Sequence, residues 1–214
     1  MKGKSIQRIM ILILSFALLL LLAGCGGPSD AADETYTTDN EGYWMVSREL
    51  SAEEMTAIDL VSSEKDIGYA FFDYHFDDSY KGMNVRMRIY QNGESQKQDP
   101  LIFGVQFDNG DSRDGTLAVV QEETGFRVRI QDKGGSGVFG ARNARDFLTI
   151  PGNGGGHFSS REGEKDAENH LILYTAGIYE GAARRLSPDT DITKAMKEDS
   201  ETFDTYIVVY AEGY

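Results

Sequence analysis

Short stretches in which apolar and polar residues alternate recur along most of this chain, and that alternation restricts its fold more than any other feature. Successive side chains of a β-strand point to opposite faces, so a period of two indicates a strand with one buried face. The clearest alternation runs through residues 72–76 and 83–89. Further strands are predicted at 43–46, 101–107, 116–121, 126–130, 147–150, 171–175 and 205–211.

Turn-forming residue pairs separate these strands and indicate how they are connected. Tight turns between short strands, without long helices, favour antiparallel sheets over a parallel α/β sheet. We therefore predict an all-β fold, an antiparallel β-sandwich with one or two short helices, in a single β-rich domain spanning residues 41–214. The pairs that mark the turns are Asn92-Gly93, Asn109-Gly110, Thr124-Gly125 and Gly134-Gly135.

The two strands with the clearest alternation are predicted to pair with each other. If residues 79–82 close a hairpin between them, the apolar side chains share one face and Asp73 lies opposite Arg88. A shift of one residue would place charged side chains opposite apolar ones, so this register is the expected one.

The two helices are predicted from the residues at which they begin. Ser51 and Glu54 have the spacing of a capping box, which predicts a helix over 52–59. Asp191 is a suitable N-cap for a second helix that runs through Ile192 and Met196.

One short motif favours a different β fold. Gly42-Tyr43-Trp44 resembles the Gly-x-Trp motif in the first strand of lipocalins, where the tryptophan closes one end of a barrel. The resemblance implies a lipocalin-like barrel as the alternative fold. In the sandwich, Trp44 is expected to belong to the core.

The N-terminal residues have the pattern of an export signal. Lys2, Lys4 and Arg8 precede a run of fourteen residues, 9–22, in which only Ser15 interrupts the apolar character. Fourteen helical residues span about 21 Å at roughly 1.5 Å each, which is less than the ~30 Å hydrocarbon core of a bilayer. A cleaved signal is therefore favoured over a permanent transmembrane helix.

The tetrapeptide Leu22-Ala23-Gly24-Cys25 follows directly and resembles the lipobox of bacterial lipoprotein precursors. The resemblance implies that residues 1–24 are a lipoprotein signal peptide removed before Cys25. It also implies that the Cys25 thiol carries a diacylglyceryl group, with acyl chains such as palmitate. Membrane lipid would then hold the protein at the extracytoplasmic face of the cell membrane, with the envelope type left open.

The residues after the lipobox predict a spacer and no cross-link. Residues 25–40 are small, polar and acidic, a composition typical of a flexible tether behind the acylated cysteine. Cys25 is the one cysteine of the chain, so no intramolecular disulfide can form.

The charge balance excludes one class of partner. The chain has 21 basic and 35 acidic residues and a formal net charge of −14, so nucleic acid is not an expected partner. The glycine-rich segment 134–156 lacks the Gly-Lys-Ser/Thr ending of a phosphate loop, and no cofactor is predicted.

Asp73, His75 and Asp77 are the sharpest candidate for a metal site. Their i, i+2, i+4 spacing places them on one face of a strand, and carboxylates with imidazole are suitable ligands for a divalent cation. The alternative interpretation is a solvated face on which Arg86 and Arg88 form cross-strand ion pairs with these side chains.

Residues 134–156 are the strongest candidate for a ligand-binding loop, because they hold eight of the 24 glycines. Glycine lets backbone N–H groups approach a ligand, and arginine offers several donors to carboxylate, phosphate or sugar hydroxyl groups. The alternative interpretation is a long hairpin connection. The residues predicted to bind the ligand are Arg142, Asn143, Arg145 and His157.

These features favour a membrane-anchored, non-enzymatic binding or accessory module of the cell envelope. Its expected partners are membrane lipid, through acylated Cys25, and an envelope glycan, peptide or protein. No Gly-x-Ser-x-Gly nucleophile motif is present. The alternatives are a carboxylate-dependent hydrolase of envelope polysaccharide and a purely structural envelope protein.

Overall fold

A computed structural model of the protein describes residues 42–61, 66–108, 113–132 and 137–214. The predicted signal peptide, Cys25 and the predicted tether lie outside these residues. Within the described ranges the chain forms eleven strands and three helices. The strands are β1 (Tyr43–Ser47), β2 (Asp66–Phe76), β3 (Gly82–Gln91), β4 (Glu94–Ser95), β5 (Leu101–Gln106), β6 (Asp114–Glu122), β7 (Gly125–Asp132), β8 (Gly137–Asn143), β9 (Gly154–Lys165), β10 (Leu171–Glu180) and β11 (Thr205–Gly213); the helices are α1 (Ala52–Val61), α2 (Arg145–Leu148) and α3 (Ile192–Thr202).

The described strands form two antiparallel sheets that pack face to face. The first sheet has the order β1-β2-β6-β7-β8, and the second has the order β4-β3-β11-β10-β9, with β5 also paired to β3. The prediction of an all-β sandwich is therefore confirmed. The sheets do not close into a barrel, so the lipocalin-like alternative is wrong.

The core lies between the inner faces of the two sheets, and the period of two explains its composition. Every second residue of β2 and β3 is almost completely buried, while the residues between them face outward. The fully or nearly fully buried side chains of these two strands include Phe72, Tyr74, Phe76, Met83, Val85, Met87 and Ile89.

A second apolar cluster lies on the outer face of the second sheet, beneath α3. Ile192 and Met196 of α3 pack with Tyr206 and Val208 of β11. Central strands of this sheet are consequently buried on both faces, and eight consecutive residues of β10 are buried. Burial on both faces explains why 171–178 is nearly continuously apolar and does not alternate.

The predicted hairpin between β2 and β3 is wrong, because the two strands belong to different sheets. The chain crosses from one sheet to the other at residues 77–81. Asp73 is paired with Thr116 of β6, and Arg88 is paired with Val208 of β11. A period of two determines which side chains are buried, but it does not determine which strand lies alongside.

Two of the three helices begin where the sequence predicts. The backbone N–H of Ser51 donates to Glu54 Oε2 at 2.9 Å and the N–H of Glu54 donates to Ser51 Oγ at 3.3 Å, which confirms the capping box. Asp191 Oδ1 accepts from the N–H of Thr193 at 3.0 Å, which confirms the N-cap of α3. The strand predicted at 147–150 is wrong, since Phe147 and Leu148 belong to α2.

Among the described helices, none has the length and apolar character that crossing a membrane requires.

The two sheets approach each other closely at both pairs of edges. Strand β8 lies beside β5, and a Cβ added to Gly140 would be 2.6 Å from the carbonyl oxygen of Ile102. Strand β1 lies beside β9, where Gly163 has a φ of +73° and a Cβ would collide with the carbonyl oxygen of Met45. Only glycine fits this close approach of backbones without strain.

Candidate functional site

The segment predicted as one ligand-binding loop is mostly regular structure in its described part, and its predicted ligands are separated. It contains β8, α2 and the start of β9. Arg142 of β8 lines a groove beside Leu101 of β5, whereas His157 lies in β9 at the opposite edge of the second sheet. The structure therefore does not bring these two residues together. Its glycines serve close packing of strands, as at Gly140.

The other predicted ligand-binding residues have local partners. Asn143 Oδ1 accepts the backbone N–H of Arg145 at 2.8 Å, at the start of α2. The ring of His157 stacks on Tyr179, with ring centroids 6.0 Å apart. Of the four predicted residues, Arg142 alone lines the groove.

The predicted metal ligands do not converge on one point. Thr116 Oγ1 donates to Asp73 Oδ1 at 3.0 Å, and His75 Nδ1 lies 2.6 Å from Asp114 Oδ1. Asp77 Oδ1 accepts hydrogen bonds from the serine two residues later, which hold the pKa of Asp77 below its usual value. The alternative interpretation, ion pairs of Arg86 and Arg88 with these side chains, is not seen among the described residues either. Both arginines are in β3, which belongs to the second sheet, and they pair with Glu212 and Asp99.

A wide groove of about 1650 Å³ crosses the outer face of the second sheet beside α3. Strand β3 supplies Arg86, Arg88 and Tyr90, and β11 supplies Tyr210 and Glu212. The segment between β4 and β5 forms one wall. We call this surface the arginine groove; its remaining lining residues are Ser95, Gln96, Lys97, Gln98, Asp99, Pro100, Leu101, Arg142 and Glu168.

Arg88 is the centre of the arginine groove. Its Nε lies 2.8 Å from Asp99 Oδ2 and its Nη2 lies 3.0 Å from Glu168 Oε2. The guanidinium sits 5.1 Å from the ring centroid of Tyr210, whose hydroxyl donates to Asp99 Oδ2 at 2.8 Å. Burial alone would lower the pKa of Arg88, but the hydrogen bond and charge of Asp99 raise it above its usual value. Arg88 is therefore a fixed cation with its donors already oriented.

The network continues across the floor of the groove. Arg86 Nε lies 2.5 Å from Glu212 Oε1, and the hydrogen bond raises the pKa of Arg86. Glu212 Oε2 lies 3.7 Å from His170 Nε2. The His170 ring packs against the Tyr210 ring, with ring centroids 4.4 Å apart. Linked side chains of this kind hold one another in place, so the groove presents a rigid polar floor.

Asp166, Glu168 and His170 form a cluster that sequence reasoning missed, although it has the same i, i+2, i+4 spacing as the predicted metal site. Their candidate ligand atoms lie within 4.8 Å of one another. Asp166 Oδ1, however, accepts the backbone N–H groups of both Glu168 and His170 at 2.9 Å. Glu168 is also paired with Arg88. These contacts stabilise the turn before β10, and we assign no metal to it.

Two of the cations that line the arginine groove have no partner in the described part of the chain. Among the described residues, neither Lys97 nor Arg142 has an ion pair or a side-chain hydrogen bond. The groove holds four basic and three acidic side chains, whereas acidic residues outnumber basic ones in the whole chain by 35 to 21. Its charge balance is therefore opposite to that of the protein.

A second depression, of about 500 Å³, lies on the outer face of the first sheet. Trp44 lines it and is partly exposed, between the buried residues Tyr43 and Met45. The prediction that Trp44 belongs to the core is wrong, because alternation along β1 turns it outward. We call this surface the tryptophan face; its other lining residues are Arg48, Asp73, Tyr74, Asp114, Gly115, Thr116, Gln131 and Asp132.

A third polar cluster is enclosed beneath α3. Asp199 is 1% exposed, and its Oδ1 accepts the backbone N–H of Ser187 at 2.6 Å. Arg161 Nη2 lies 3.8 Å from its Oδ2. Burial raises the pKa of Asp199 above its usual value. Because Asp199 is almost completely buried, it offers no open surface to a large ligand.

Comparison of the chain with protein-family models, with curated proteins and with solved structures gives no match. A β-sandwich by itself serves many unrelated functions. The evidence on function therefore lies in the residues of the arginine groove and the tryptophan face.

Proposed function

We propose that this protein is a lipoprotein anchored to the extracytoplasmic face of a bacterial cell membrane, and that its sandwich is a non-enzymatic binding module. The lipobox at residues 22–25 supports the anchor. A diacylglyceryl group on Cys25 brings two acyl chains, and two chains give stable attachment where one chain gives only marginal binding. We therefore expect the ligand of the sandwich to lie within reach of the membrane.

The arginine groove carries the proposal for binding. Its floor is a connected network around Arg88, so few side chains lose freedom when a ligand binds. Lys97 and Arg142 line the same surface and supply donors that have no partner among the described residues. We propose an envelope glycan that carries a carboxylate, because hydroxyl groups match the paired polar side chains and a carboxylate matches the two free cations.

The arrangement of carboxylates favours binding over glycoside hydrolysis. A hydrolase needs two carboxyl groups that face each other across the scissile bond, about 5–9.5 Å apart. In the groove, Asp99 and Glu168 both bind the guanidinium of Arg88, which occupies the space between them. The third carboxylate of the groove, Glu212, binds Arg86, so all three are engaged by the protein itself.

The binding proposal is tested by sedimenting a soluble fragment, residues 30–214, with purified cell-wall polymers. The double variant Lys97→Ala/Arg142→Ala removes both free cations, and we expect about tenfold weaker binding from the loss of charge-assisted hydrogen bonds. The matched control is Lys81→Ala/Arg185→Ala, which removes the same charge at exposed positions outside the groove. Equal loss in both variants, or no binding by the unaltered fragment, would contradict the proposal.

The anchor is tested separately by mass spectrometry of the protein from membranes. The expected N-terminal peptide begins at Cys25 and carries a diacylglyceryl group. An intact peptide beginning at Met1, with an unmodified thiol at position 25, would rule the anchor out.

A further inference from the structure

The tryptophan face is built by side chains from four neighbouring strands. In one row across the sheet, Trp44 of β1 and Asp114 of β6 lie opposite His75 of β2, which adjoins the lining residues of the face. In the next row, Asp73 and Thr116 are opposite each other, and Thr116 is opposite Gln131 of β7. Directly opposite side chains are about 5 Å apart, and alternate residues of a strand are about 7 Å apart. The two rows therefore form one continuous patch.

The polar side chains of this patch are held in place by one another. Thr116 Oγ1 accepts from Arg48 Nη1 at 3.3 Å and donates to Asp73 Oδ1 at 3.0 Å. His75 is fixed by Asp114 at one ring nitrogen and by stacking on Trp44, with ring centroids 5.7 Å apart. The patch is thus ordered before any ligand binds.

Two groups on the patch remain available to a ligand. Gln131 is exposed, and its carboxamide has no hydrogen-bond partner among the described residues. His75 Nε2 likewise has no partner within the described part of the chain. A carboxamide offers both donors and an acceptor, which is what pairs of sugar hydroxyl groups require.

We propose that the tryptophan face binds a neutral pyranose unit of a glycan, with the sugar ring packed on Trp44 and its hydroxyl groups bonded to Gln131, Asp73 and His75. The indole face carries partial negative charge and packs well against the weakly positive C–H groups on one side of a pyranose. The surrounding carboxylate, carboxamide and imidazole groups match hydroxyl groups around the ring edge.

The charge of the patch selects for a neutral sugar. Asp73, Asp114 and Asp132 line it, and Arg48 is the one basic residue among its lining side chains. An anionic sugar would be repelled by this excess of carboxylates. The tryptophan face is therefore a site of different chemistry from the arginine groove, and it does not depend on the function proposed for that groove.

Trp44 makes the proposal directly testable, because it is the one tryptophan of the chain. The full chain in detergent is titrated with cellotetraose and, separately, with N-acetylglucosamine tetramer, while tryptophan emission is recorded. A sugar ring that covers the indole replaces water around it, so we expect a saturable shift of the emission with at least one of the two. An oligogalacturonate of the same length is the anionic comparison and should produce no shift.

Variants then assign the binding to this face by calorimetry with the sugar that responds. Gln131→Ala removes an exposed amide that has no hydrogen-bond partner among the described residues, and we expect about fivefold weaker binding. Trp44→Ala should weaken binding at least about tenfold, as truncation of a central aromatic residue does. Lys97→Ala/Arg142→Ala, in the arginine groove, should leave the affinity for this sugar unchanged.

Three results would overturn the proposal. One is an emission spectrum that neither tetrasaccharide changes at millimolar concentration. Another is sugar binding that survives both Gln131→Ala and Trp44→Ala. The third is binding lost in Lys97→Ala/Arg142→Ala and retained in the variants of this face, which would place the sugar in the arginine groove.

Discussion

The outer faces of the two sheets differ in how far their charged side chains are removed from water. On the second sheet, α3 and the neighbouring turns shield the surface, and Arg88 and Asp99 are only 18% and 16% exposed. On the first sheet, Arg48 and Asp73 are 37% and 53% exposed. Similar ion pairs should therefore matter for stability on one face and matter little on the other.

The largest expected difference between the two faces is in the free energy of unfolding that is lost when one arginine is removed from each face. Arg88→Ala leaves two carboxylates without their guanidinium in a shielded place, and should lower the free energy of unfolding by about 2 kcal/mol. Arg48→Ala breaks exposed contacts and should cost less than about 0.5 kcal/mol. Urea denaturation measures both, and equal costs would remove the distinction between the faces.

The next effect tests a single hydrogen bond within the arginine groove. Tyr210→Phe keeps the ring beside Arg88 but removes the hydroxyl that donates to Asp99, which should cost about 1.5 kcal/mol. The control is Tyr179→Phe, since the Tyr179 hydroxyl has no hydrogen-bond partner among the described residues. It should change the free energy of unfolding by less than about 0.5 kcal/mol. If the hydrogen bond to Asp99 contributes nothing to stability, the two variants should have the same free energy of unfolding.

Removing the N-cap residue should lower the free energy of unfolding more for α3 than for α1, by a smaller amount than the changes above. Asp191→Ala removes the N-cap of α3, which packs on the second sheet, and should lower the free energy of unfolding by about 1 kcal/mol. Ser51→Ala removes the cap of α1, whose described side chains are mostly exposed. It should reduce local helix content with little effect on global unfolding. Circular dichroism and urea denaturation distinguish the two outcomes.

The smallest effect is a pH dependence caused by Asp199 beneath α3. Burial raises its pKa in the folded state, so the protonated form is favoured by folding. The stability it contributes is complete below the pKa of the unfolded chain and is lost as pH rises through the higher folded pKa. Asp199→Asn removes this dependence. Denaturation between pH 3 and pH 7 should show the wild type losing stability relative to the variant as pH rises, and a constant difference would contradict the assignment.

The sequence predicts strands and caps well because their signals are local. Alternation at 72–76 and 83–89 identifies buried faces correctly, and Ser51 and Asp191 identify two helix starts. A strand is wrongly predicted at 147–150 because three apolar residues and one threonine are too few to distinguish a strand from one turn of helix. Local patterns therefore establish the fold class without establishing every element.

The site depends on which strands are neighbours, and local patterns do not contain that information. Asp73 meets Thr116, which is 43 residues away, and Tyr210 meets Asp99, which is 111 residues away. Continuing the alternation between Tyr43 and Met45 places Trp44 on the outer face, which the general expectation that a tryptophan belongs to the core overlooks. Only Arg142 of the predicted ligand-binding residues lines the arginine groove.

The close approach of β8 to β5 and of β1 to β9 has a consequence for how neighbouring copies behave. An uncovered edge strand offers unpaired backbone groups to strands of other molecules and promotes aggregation. Here each long edge strand lies against an edge of the opposite sheet, with Gly140 and Gly163 allowing the contact. If the proposed lipid anchor holds many copies on one membrane surface, they would meet often, and we expect the shielded edges to prevent their strands from pairing into shared sheets.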